Sequence, residues 1–214
     1  MPRLRGRPLF DMKDWDRKRR AEVLGAVVGN FLPLLGVLFF GWSLAGVVVI
    51  YWFENIVIGL VNILKLWTNR GEGSTAGGRV FLSIFFTVHY GMFTVGHGTF
   101  LEDLIVKTPG GLGMMVWEGL HTYHWAIGGF LVSHLWVFWR EYLKGGERKA
   151  IPLQKVMFLP YPRVVVLHVA IIVGAGVTMI FQSPWFFVIL LVVLKTALEL
   201  GLIFKKKTLL AAPR

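Results

Sequence analysis

A carboxylate set inside an apolar run constrains this chain more than any other feature. Residues 44–67 are long and apolar enough to cross a bilayer, yet the stretch 51–65, YWFENIVIGLVNILK, carries Glu54, Asn55, Asn62 and Lys65. A charge near the middle of a hydrocarbon layer is costly unless a partner or an aqueous cavity compensates it. A fold for this sequence must therefore bring polar groups from other segments to Glu54.

The 214 residues are 55% hydrophobic and 16% charged, with a mean hydropathy of +0.62, so the apolar runs exceed what a soluble core absorbs. The expected class is an all-α polytopic membrane protein. A formal charge of +11 raises the question of nucleic acid, but the bases cluster at the ends of apolar runs and do not interleave with aromatics on one polar face. That pattern points to membrane lipids, with anionic headgroups at the cytoplasmic face, and away from nucleic acid. With no cysteine, disulfides, thiolate-bound haem, iron–sulfur clusters and thiol catalysis are excluded.

Three regions follow. Residues 1–20 read as a basic cytoplasmic arm, 21–207 as a six-helix transmembrane bundle and 208–214 as a short cytoplasmic tail. The arm is too long, and the apolar run after it too extended, for a cleavable signal. Spans are expected at about residues 21–40, 44–67, 79–102, 114–142, 163–181 and 185–204. The connector 144–162 is basic, and Pro152, Pro160 and Pro162 bar one continuous helix there. With the arm inside, the inner loops and tail hold Arg70, Arg79, Lys144, Arg148, Lys149, Lys155, Arg163, Lys205, Lys206 and Lys207, against Lys107 outside. The positive-inside rule then gives an inner-membrane, multi-pass protein with both ends cytoplasmic.

Counting rise along these spans puts Glu54, His97, His121 and His124 roughly 9 to 15 Å below the outer interface. By the same arithmetic His89, His168, Lys195 and Glu199 form a deeper layer at roughly 16 to 22 Å. His121 and His124 are three apart and share a helix face. The leading expectation is a divalent-metal site drawn from Glu54, His89, His97, His121 and His124, a donor set suited to zinc or non-haem iron. A second cofactor reading is haem, held for instance by His89 with His168 or His124. Were the metal catalytic, it would act on an apolar or lipid-like substrate, with Glu54 as ligand or general base and Lys195 as electrostatic partner.

Two other readings compete. Glu54, His89, His168, Lys195 and Glu199 also suit a proton-linked transporter, as relay groups or counter-charges. Alternatively Glu54 and Lys195 form a buried salt bridge, and the protein is a non-catalytic accessory subunit docking a membrane-protein partner or a second copy of itself. Asn55, Gly59 and Asn62 share a stripe fit for hydrogen bonding across a close helix contact, and His134 reads as a bundle contact. The sequence leaves open whether the protein is an enzyme.

Tyr51-Trp52-Phe53-Glu54-Asn55 with Gly59, Asn62 and Lys65, followed by His89-Tyr90-Gly91 with Phe93 and His97, resembles an uncharacterised family of small prokaryotic six-helix membrane proteins, a domain of unknown function. His168, Gly174, Ser183-Pro184, Lys195-Thr196 and Glu199 look like that family's last two helices, except that the family tends to carry aspartate where this chain has Glu199. The resemblance implies six spans and no particular activity.

Overall fold

The computed structural model describes residues 41–181, 183 and 185–211, some of the later ones by backbone alone, together with scattered positions between 20 and 39. The arm before Arg20, most of the 21–40 span and residues 212–214 lie outside the described residues, as do Gly25 and Gly29, whose spacing in the sequence suits a close helix–helix approach. Within the described residues the secondary structure is entirely helical, without strands. Among the described residues two helices are long and apolar enough to cross a membrane: α1, Leu44–Thr68, and α2, Ala76–Leu101, which continues through a π-helical turn to Val106.

The rest of the chain is arranged around α1. Two-thirds of its most apolar window is buried, 67% against 22% for α2, which makes α1 the core helix of the bundle. Val47 through Glu54 are all buried. Ser43 caps the first turn by accepting from the Gly46 N–H, and Lys65 in the last turn suits the negative end of the helix dipole.

α2 returns antiparallel along α1. Trp52 Nε1 donates to the Thr94 carbonyl at 2.8 Å and the Tyr90 hydroxyl to the Asn55 carbonyl at 3.0 Å. Glycine makes this approach close: a Cβ on Gly59 would lie 2.7 Å from the Tyr90 ring, and one on Gly98 2.7 Å from the Trp52 ring. Gly59 supplies the close contact expected of the Asn55–Gly59–Asn62 stripe, but the two amide nitrogens do not hydrogen-bond across it. The Nδ2 of Asn62 finds no hydrogen-bond partner among the described residues, and Asn55 bonds within its own helix, Nδ2 to the Tyr51 carbonyl.

The expected continuous span 114–142 is corrected to two helices, α3 (Gly111–Thr122) and α4 (His124–Val137), the latter running into a π-helical segment, Phe138–Lys144. The interruption at Tyr123 contains neither proline nor glycine. Imidazoles bond the backbone there: His124 Nδ1 donates to the His121 carbonyl at 2.7 Å and His121 Nδ1 to the Trp117 carbonyl at 2.9 Å.

At the opposite end of α1, fully buried Asn69 ties the connectors together. Its Nδ2 donates to the Tyr142 hydroxyl and the Ile151 carbonyl, its Oδ1 accepts from the Gly71 N–H, and Tyr142 in turn donates to the Lys65 carbonyl. The prolines divide the expected connector into short helices, α5 (Glu147–Ala150) and α6 (Leu153–Phe158). α6 packs on the ends of α1 and α2 and steps into the bundle.

In consequence α7, Tyr161–Phe181, starts deep inside. Tyr161 meets Tyr90 and Phe86 edge-on at ring-centroid distances of 6.4 Å, at the level of Gly59 on α1. α8, Trp185–Ala211, packs against α7. Large apolar side chains face outward on all the long helices, Phe81 and Val88 on α2, Trp125 and Val132 on α4, Ile172 on α7 and Val193 on α8 among them.

Candidate functional site

The buried carboxylate of Glu54 collects partners from three other helices. Lys195 of α8 donates to Oε2, Arg163 of α7 lies 3.5 Å from Oε1, and Nε2 of His134 on α4 lies 3.7 Å from the same oxygen. Glu54 is 6% exposed, too little for water to replace those partners. Arg163 also reaches Glu199 of α8, at 3.6 Å, and Glu199 accepts from the Asn30 side chain at 2.8 Å. Tyr51 closes the site, donating to the Asn30 carbonyl at 2.7 Å and offering its ring face to the Lys195 ammonium at 4.2 Å.

Two carboxylates, Glu54 and Glu199, thus face two cations, Lys195 and Arg163, and the charges of the four cancel. Beside them lies a cavity of about 30 Å³ lined by Tyr51, Glu54, Asn55, Arg163, Lys195 and Glu199 among others. That volume admits water but not an organic molecule.

The depth arithmetic is corrected here. Lys195, assigned to the deeper layer, contacts Glu54 of the upper one, and His168 lies level with His97, their rings joined Nε2 to Nδ1 at 2.8 Å. The reason is the high start of α7, which lifts His168 and brings Arg163 from the expected cytoplasmic edge into the site. Arg163 therefore drops out of the tally of inner-loop bases.

The five proposed metal ligands do not converge. His121 and His124 are exposed and hold backbone carbonyls at the α3–α4 break, His97 pairs with His168, and His89 bonds the Tyr161 hydroxyl at 2.6 Å. Among the described residues no three His, Asp or Glu side chains are grouped to hold a metal ion. Of the histidines considered for haem, His89 lies against Tyr161, His168 against His97 and His124 against the His121 carbonyl.

Sequence reasoning found Glu54, Lys195 and Glu199 and missed Arg163, His134, Tyr51 and Asn30. A signal for Arg163 existed: Pro160 and Pro162 immediately before it leave its helix free to begin away from the interface.

The chain matches the DUF6498 family, a family of unknown function, over residues 12–213, and belongs to it. No curated protein and no solved structure matches it.

Proposed function

We propose that this member of the family is a six-span inner-membrane protein, both ends cytoplasmic, whose Glu54 network exchanges protons in proton-linked transport. The observation that carries the reading is a buried carboxylate shared among groups on three other helices beside a water-sized cavity. The apolar exterior and the concentration of bases in the loops on one side support the membrane assignment.

Glu54 takes a proton as Lys195 and Arg163 withdraw from it, because protonation in place strips Lys195 of its carboxylate while Arg163 keeps only Glu199. The contacts of α7 and α8 with α1 weaken together, which couples proton occupancy to helix position. His134 is a second titratable group within reach of Glu54 and provides the next station for the proton. The scattered imidazoles give the metal-enzyme reading less support than this one.

A second reading rests on the charge balance of the network: it holds four helices in register in an accessory subunit and does no chemistry. One experiment separates the two. In liposomes under an imposed pH gradient, wild type carries protons, and the charge-balanced variant Glu54→Gln/Lys195→Met lowers that flux by about tenfold or more, the scale of losing a group that relays the proton. Equal flux in the folded double variant leaves the network a structural lock. Absence of flux in wild type removes the transport reading.

A further inference from the structure

A second, larger recess lies at the other end of α1. It encloses about 280 Å³, near the lower end of ordinary small-ligand sites at about 300–1,000 Å³, and is bounded by the start of α1, the turn after α2, and α3. Its floor is apolar, from Val49, Val106 and Met115, while its walls carry Ser43, Thr108, Thr122 and Tyr123 with one cation, Lys107, and one anion, Glu118.

Three features mark it as a built site. Lys107 ends the π-helical turn in the left-handed region, φ +54°, and is the one non-glycine residue with positive φ among the described residues. Its N–H caps the turn by donating to the Glu102 carbonyl at 2.7 Å, which fixes where the side chain leaves the backbone at the rim of the recess. Tyr123 enters the recess at the α3–α4 break, and Gly46 makes room for it: a Cβ there would lie 2.1 Å from the tyrosine oxygen. Finally, Lys107 and Glu118 line the same recess yet form no ion pair with each other or with another described residue. Opposite charges facing one cleft without meeting leave a gap that fits a ligand bearing both signs.

We propose that this recess binds a zwitterion joining a phosphate to an ammonium, of the phosphoethanolamine class, with Lys107 and the wall hydroxyls on the phosphate and Glu118 on the ammonium. Exposed Trp42 and Trp117 nearby match the aromatic belt of a membrane interface, which puts lipid headgroups of this chemistry within reach. The site is independent of the Glu54 network.

The test uses full-length protein in detergent. One arm titrates free phosphoethanolamine by calorimetry, with inorganic phosphate and ethanolamine as half-ligands; the other measures retention of phosphatidylethanolamine against phosphatidylglycerol by native mass spectrometry. Wild type binds the zwitterion in at least one arm, the free arm identifying a soluble ligand and the lipid arm a headgroup. Lys107→Gln and Glu118→Gln, both at exposed positions, each weaken binding by about tenfold or more, as loss of a charged hydrogen bond requires. No zwitterion binding in either arm overturns the proposal, as does binding that the half-ligands match or that both substitutions leave unchanged.

Discussion

Substituting Gln for Glu54 lowers the stability of the folded protein by about 3–5 kcal/mol, the cost of leaving a buried charge uncompensated. The side chain keeps its shape, so packing is not the cause. What changes is the balance: Arg163 keeps Glu199, Lys195 loses the carboxylate it contacts, and a net positive charge remains in the bundle. Adding Lys195→Met restores neutrality, and the double variant recovers more than half of the loss. Thermal denaturation of detergent-purified protein, followed by loss of the monodisperse peak, reads both effects. A Glu54→Gln variant as stable as wild type, or a double variant no better than the single one, is the opposite result and removes the charge balance from the account.

The second large effect lies at the α1–α2 contact. Gly98→Leu forces a side chain into Trp52, whose ring carbons stand 2.7 Å from the first added atom, and into Leu112, at 2.9 Å. Overpacking of this kind costs about 1–3 kcal/mol. Displacing the indole also breaks its hydrogen bond to the Thr94 carbonyl, for roughly another 1 kcal/mol. Trp52 precedes Glu54 by two residues, so the shift propagates to the charge network. Gly96→Leu is the internal control, since nothing lies within 4 Å of a Cβ there. A large drop in melting temperature for Gly98→Leu beside an unchanged Gly96→Leu is the expected pair of results; equal melting temperatures contradict the close helix contact.

How far the sequence revealed this arrangement differs from element to element. The core helix and its carboxylate were legible because a charge inside a long apolar run has few physical explanations, and the Glu54–Lys195 contact followed from the need for a countercharge. The 44–67 and 185–204 expectations match α1 and α8 at their starts, Leu44 and Trp185, the first of them capped by Ser43. Depth was not legible. Rise per residue gives distance along a helix but not the level at which a helix begins, and the prolines around α6 and Pro160 set the start of α7 inside the bundle. His121 and His124 misled for another reason: shared spacing on one helix face says nothing about whether an imidazole turns outward to a ligand or back onto its own backbone. Tyr123, at the interruption beside those two histidines, carries no local breaker residue that would announce it.

The claim on which the functional reading depends is that Glu54 takes up and releases a proton inside the bundle. Difference infrared spectroscopy of the carboxyl region, recorded as the pH of the reconstituted protein is stepped, observes that event directly. The account predicts a protonated-carboxyl band in wild type that shifts in Glu54→Asp and is missing from Glu54→Gln/Lys195→Met. A wild-type spectrum without such a band, or one that the double variant reproduces, contradicts it and leaves the four charges as a fixed internal brace.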